Sequence, residues 1–188
     1  MKRLDAVLCP GPAIRAPADT ALVLVPKDER PLRGEAGRID WRLCGEISAL
    51  LESGFASGVS GESTLIPAGG PISARRLLLF GLGLTKHLGR RRIEQAFRRA
   101  GLKAVELAAG SVALALPDAL DLEFDSEAIL SGFLLALEEC EDEVRLCVVI
   151  PEADGQQSAI REAAAQLEAD AAARDIKIHV ERFASREP

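Results

Sequence analysis

Apolar positions along this chain form two patterns that alternate. Short, mainly apolar runs occur at Leu4–Leu8, Ala21–Val25, Leu77–Phe80, Val112–Leu116 and Val144–Ile150, broken only by Asp5 in the first and Arg145 in the last. Runs of this length, apolar on both faces, predict central strands covered by helices on each side. Between them apolar residues recur at spacings of three and four, which is one face of a helix. Ile39, Leu43, Ile47, Leu50 and Leu51 predict a helix with Asp40 near its start and Gly54 near its end, where acidic residues and glycine are preferred. Ile93, Phe97, Ala100, Ala104 and Leu107 predict a second helix from about Arg90 to Ala109, with Gly101 marking close packing on the sheet. The broad stripe of Ile129, Leu130, Phe133, Leu134 and Leu137 predicts a deeply packed helix over Ser126–Cys140. An alanine-rich helix is predicted from Gln156 to about Arg174, with Ile160, Ala164, Leu167 and Ala171 facing in. Ile176–Val180 alternates apolar and polar residues, as a half-buried edge strand does. Pro26–Gly37 reads as an exposed loop.

Strands alternating with helices predict a three-layer α/β/α domain around a mixed, mostly parallel sheet, and 188 residues make a single domain, 1–188. Aromatics are only 4% of the chain, so leucine, valine, isoleucine and alanine must build the core. No apolar run reaches the ~18 residues of a membrane span, and the Pro-interrupted start does not read as a signal peptide. Cys9, Cys44, Cys140 and Cys147 lack the close spacing of zinc or redox pairs. They read as buried reduced thiols of a cytoplasmic protein.

The stretch Gly61–Gly83 carries more specific information. Gly61-Glu62 precedes the short run Leu65-Ile66-Pro67, then come Gly69-Gly70, the basic pair Arg75-Arg76 and an apolar strand closing in Gly81-Leu82-Gly83. This order of parts resembles the N-terminal domain of the leucyl aminopeptidase (M17) family. The likeness extends from about Ala21 to Ile150, through Trp41–Leu51 and Ala128–Ala136. It implies a macro-domain-like fold. In the family the two-metal catalytic site lies in a second, C-terminal domain, which would begin where this chain ends at Pro188. The resemblance therefore implies a non-catalytic, stand-alone relative, an interaction or regulatory module with no metal or cofactor of its own. Its partner would be a second copy or an aminopeptidase-type protein. Two other readings follow from the same likeness: a macro-like domain binding a nucleotide or ADP-ribose derivative, or a nucleic-acid accessory protein, since some bacterial members also bind DNA.

The local chemistry is sparse. The two histidines, His87 and His179, are far apart, and no His-x-x-His or Cys-x-x-Cys pair seeds a metal site. Gly81, Gly83, Thr85 and Lys86 lie between a strand and a helix, where glycine loops cradle phosphate. The loop lacks the third glycine of a dinucleotide fingerprint and does not fit a P-loop, and a tight strand-to-helix turn where backbone approaches backbone is the simpler reading. Ser60 sits in what reads as a turn.

Charge is unevenly spread. Up to Gly110 there are 17 Lys and Arg against 11 Asp and Glu; beyond it there are 6 against 18. Arg91, Arg92, Arg98, Arg99 and Lys103 fall off the Ile93–Phe97 stripe and form an exposed basic helix face, a candidate surface for an acidic partner. The run Glu138–Glu143 reads as outward-pointing, solvated carboxylates.

Overall fold

Six of the seven strands run parallel, as the doubly apolar runs require. The computed structural model describes residues 1–70, 72–152 and 157–183. The strands are β1 (Lys2–Pro10), β2 (Thr20–Pro26), β3 (Ser63–Pro67), β4 (Arg76–Gly83), β5 (Ser111–Ala115), β6 (Arg145–Glu152) and β7 (Ile176–Arg182). They line up as β3-β4-β2-β5-β6-β1-β7, with only β3 antiparallel to its neighbour. The helices are α1 (Gly34–Arg42), α2 (Glu46–Glu52), α3 (Arg90–Glu106), α4 (Leu122–Glu139) and α5 (Gln157–Ala173). Residue 156, where the last helix was expected to begin, lies outside the described residues.

The two sheet faces hold separate cores. Leu22, Leu24, Leu78, Phe80, Val112 and Leu114 pack with α3, α4 and α5 on one side. Ala21, Val23, Val25, Leu77, Leu79 and Ala115 pack under α1 and α2 on the other. This is the three-layer α/β/α architecture, macro-domain-like in its mixed sheet. The alternation along β2 that sends Leu22 and Leu24 to one layer and Val23 and Val25 to the other follows from the two-residue pleat.

Four expectations are corrected. The stripe Ile39–Leu51 is not one helix: the chain turns through left-handed conformations at Cys44 (φ 55°) and Gly45 (φ 83°). Asp40 lies in the last turn of α1 and accepts a hydrogen bond from the Ser48 amide at 3.0 Å, fastening α1 to α2. The segment Pro26–Gly37 is not simply an exposed loop, because α1 begins at Gly34 and Leu32 and Ala36 are buried. Cys44 is exposed, and Cys140 and Cys147 are only half-buried; burial nonetheless pushes both of the latter thiols up in pKa. Finally, Gly101 packs on α4 rather than on the sheet, since a Cβ there would stand 2.8 Å from that of Ala136. Gly132 of α4 answers it, facing the α3 backbone at Glu94 and Arg98. The paired glycines bring α3 and α4 together around the edge-to-face rings of Phe97 and Phe133, 5.5 Å apart.

The strand expected at Leu4–Leu8 is also less uniform than its run suggests. Asp5 is fully buried within it and is held by Arg3 and Arg145. The acidic run is tied down rather than solvated throughout: Glu138 pairs with Arg174, Glu139 with Arg98 and Glu143 with the N-terminal ammonium. Glu141 and Asp142 remain exposed.

Candidate functional site

The Gly61–Gly83 stretch folds back on itself. Gly61 donates to the Gly81 carbonyl and Gly81 to that of Glu62, while Gly83 donates to Gly58. Glu62 accepts hydrogen bonds from the Ser57 amide, the Ser57 hydroxyl and the Gly58 amide, at 2.7 to 2.8 Å. Burial alone would raise its pKa, but these donors outweigh it and hold the carboxyl below its usual range. The Gly-Glu pair is thus a clasp for the turn preceding β3.

A lowered pKa in the folded state means that this clasp stabilises at neutral pH and is lost as the carboxyl protonates on acidification. Glu62→Gln, which keeps the shape but not the charge, should melt below the wild type at about pH 7, and the gap should shrink as the pH is lowered below the usual carboxylate range, to about pH 3. Thermal melts at the two pH values check this; an equal gap at both would remove the charge from the explanation.

Gly81, Gly83, Thr85 and Lys86 follow β4 as expected, but their environment is specific. Gly81 is pressed against the backbone at Val59, and Gly83 adopts φ 79° beside Ser60. The amide and hydroxyl of Thr85 both donate to the Asp28 carboxylate, at 2.8 and 2.9 Å. The Thr85 amide in particular keeps Asp28 below its ordinary pKa. Lys86 is exposed.

Open α/β sheets offer ligands a crevice where the connections from neighbouring strand ends diverge. Here that place lies between β2, which leads towards β3 and β4, and β5, which leads towards β6. Glu35 in the first turn of α1 reaches across it: its carboxylate accepts from the Ala13 amide at 2.7 Å, and its amide donates to the Leu116 carbonyl at 2.9 Å. At both strand-end positions a carboxylate of the chain itself takes the backbone donors on which a phosphate would draw.

The basic helix face divides. Arg98 pairs with Glu139, Lys103 with Glu106, and the neighbouring Arg90 with Glu127. Among the described residues Arg91, Arg92 and Arg99 have no carboxylate partner. Of the acidic run Glu138–Glu143, Glu139 meets this face, at Arg98.

Sequence reading passed over Trp41, the chain's single tryptophan. It is 75% exposed on α1, with the Arg42 guanidinium carbon 5.5 Å from its ring centroid. An open depression of about 700 Å³ lies on one side, lined by Pro31, Leu32, Asp40 and Cys44. Another of about 420 Å³ lies on the other, lined by Pro12, Ile14, Arg33 and Arg38. Arg38 is paired with Glu35, whereas the guanidinium groups of Arg33 and Arg42 have no carboxylate partner among the described residues, although the Arg33 amide donates to Glu29 at 3.1 Å. No three His, Cys, Asp or Glu side chains of the described residues gather as metal ligands, and no described helix is long and apolar enough to cross a membrane.

Residues 22–142 match the family described as "Cytosol aminopeptidase family, N-terminal domain". No curated protein matches the sequence. Among solved structures, a variant of tomato leucine aminopeptidase superposes with a TM-score of 0.60 at 19% identity, covering 86% of this chain and 35% of that one. This chain thus spans about a third of that enzyme's length. An Oceanobacillus iheyensis macrodomain matches with a TM-score of 0.63 at 14% identity, covering 87% and 92%. A Trypanosoma brucei macrodomain in complex with ADP-ribose gives 0.64 at 19% identity, covering 84% and 68%. At these identities the structural likeness establishes the fold.

Proposed function

The chain belongs to the cytosol aminopeptidase family through that family's N-terminal domain, and from this premise we propose that it acts as a non-catalytic interaction module whose docking surface is the Trp41 face. The observation that carries the reading is the placement of Trp41. A large aromatic side chain left three-quarters exposed between two depressions costs the isolated domain apolar burial that a partner would restore. Tryptophan and arginine are also the residues that most often dominate interface energetics.

The occupant we assign is a polypeptide segment bearing an aliphatic anchor flanked by carboxylates. The aliphatic part suits walls made by Ile14, Pro31, Leu32 and Trp41, and the carboxylates suit Arg33 and Arg42. The α3 face, although Arg91, Arg92 and Arg99 are left without a carboxylate there among the described residues, presents no exposed large apolar side chain to anchor a partner.

A labelled peptide alternating glutamate and leucine should bind, and the corresponding lysine and leucine peptide should not. Binding should weaken with salt, as the Debye length falls from about 10 Å at 0.1 M to about 3 Å at 1 M. Trp41→Ala should weaken it at least tenfold, a loss of about 1.4 kcal/mol or more for a central aromatic, with an unchanged melting temperature. Mass spectrometry should recover the peptide intact, as a module without peptidase chemistry requires. Equal binding by Trp41→Ala, or peptide cleavage in proportion to protein, would overturn the proposal. Self-association abolished by Trp41→Ala in sedimentation velocity would make the occupant a second copy instead.

A further inference from the structure

On the opposite layer from Trp41 lies a second, chemically different cavity. It measures about 190 Å³ and is lined by Ser60, Gly61, Arg92, Gln95, Ala96 and Arg99. Arg92, Gln95 and Arg99 stand at spacings of three and four on α3, so one helix face delivers all three. The turn before β3 supplies the other wall. The lining contains no carboxylate. Every polar side chain in it can donate a hydrogen bond, and the two arginines are among the few basic residues of α3 left without an acidic partner among the described residues. The Ser60 hydroxyl and the Gln95 amide also donate to no described residue.

Gly61 makes the geometry possible. Its φ of 85° belongs to the left-handed region, and a Cβ there would stand 2.8 Å from a terminal nitrogen of Arg99. Without a side chain at position 61 the guanidinium can approach the turn closely. The turn itself is fixed by the Glu62 clasp and by the Gly61 to Gly81 hydrogen bond. Two guanidinium forks on a fixed frame are the arrangement that recognises a planar or tetrahedral oxyanion through paired hydrogen bonds. The volume is below the range of pockets that enclose a whole small molecule, about 300 Å³ and upward. It corresponds to about six water volumes, enough for one oxyanion group and its residual water.

We propose that this cavity is a binding site for a single phosphoryl group, gripped by Arg92 and Arg99 and oriented by Gln95 and the Ser60 hydroxyl. The group would be free phosphate or the terminal phosphate of a small ester whose remainder stays outside. The proposal is independent of the Trp41 reading, since the two surfaces lie on different layers and differ in chemistry.

The test is an NMR titration of the whole chain with inorganic phosphate, against sodium chloride at matched ionic strength, followed at the Gly61 amide and the arginine Nε resonances. Saturable shifts at Gly61, Arg92 and Arg99 are expected with phosphate and not with chloride. Arg92→Gln and Arg99→Gln should each weaken binding about tenfold or more, as loss of a charge-assisted hydrogen bond does. Arg91→Gln, on the same helix but outside the cavity, should leave it unchanged. All three replacements are at exposed positions, and their melting temperatures verify folding. Repeating the titration with ADP identifies the source: tighter binding with added shifts outside the cavity indicates an ester, and equal binding indicates free phosphate. Chloride-like shifts with phosphate, or equal weakening by Arg91→Gln, would overturn the proposal. So would a DNA duplex that binds through Arg91 as strongly as through Arg99, which would make the face a diffuse polyanion surface.

Discussion

Gly81→Ala is expected to produce the largest loss of stability of any single methyl addition in this molecule, about 3 kcal/mol, the upper end of overpacking costs. The added Cβ would stand 2.0 Å from the Val59 carbonyl oxygen and 2.7 Å from the Gly58 carbonyl carbon. Both neighbours are backbone, so no rotamer change relieves the contact. Neither side can retreat easily, because β4 is hydrogen-bonded to β2 and β3, and the 58–62 turn is held by Glu62 and by the hydrogen bonds to Gly81 and Gly83. For a chain of this size the loss corresponds to a fall in melting temperature of about 6–12 °C. A thermal melt decides it, and a variant melting with the wild type would show that the turn can move away from the strand.

The second large effect is expected at Gly132. A Cβ there would meet the Glu94 carbonyl oxygen at 2.5 Å, the Phe97 Cβ at 2.7 Å and the Arg98 amide nitrogen at 2.9 Å. All three belong to the α3 backbone or its first side-chain atom, so α3 and α4 must part. Alanine in place of glycine also favours the helix itself by about 1 kcal/mol. Against an overpacking cost of about 3 kcal/mol, Gly132→Ala should destabilise by about 2 kcal/mol. Gly101→Ala receives the same helix gain, but its contacts are the Ala136 Cβ and the edge of the Phe133 ring at 3.0 Å. The ring can tilt, so Gly101→Ala should cost less than Gly132→Ala. Chemical denaturation of the two variants side by side gives the order. The reverse order would mean that Phe133 is the less yielding neighbour.

Much of this fold was legible because its strands are buried on both faces and therefore written as continuous apolar runs. Leu77–Phe80 and Ala21–Val25 became β4 and β2 with little displacement. Periodicity misjudged the break at Cys44 and Gly45, because the apolar stripe of α1 continues in phase into α2 although the backbone turns between them. It also assigned Gly101 to the sheet, since spacing reports which face is apolar but not which layer meets it. Asp5 was hidden by its apolar neighbours, and its partner Arg145 lies far away in sequence, on β6. The role of Glu62 could not be read from Gly61-Glu62, because its donors are backbone amides available only once the turn has formed. Trp41 left the faintest usable signal. It lies two residues from Ile39, about half a helical turn away from the buried stripe, which places an aromatic on the outer face. What the sequence could not supply was the pair of depressions around it, whose walls come from the segments before and after β2 as well as from α1 itself.

Because Trp41 is the only tryptophan, its fluorescence reports on the proposed docking face without a label. In the free protein the emission should be that of a solvent-exposed indole, red-shifted and readily quenched by acrylamide. Addition of the glutamate and leucine peptide should shift the emission to the blue and protect it from acrylamide, saturably, and the protection should fade as salt is raised. Emission and quenching that stay unchanged while the peptide binds elsewhere would contradict the account, since Trp41 would then be an exposed side chain that no partner covers.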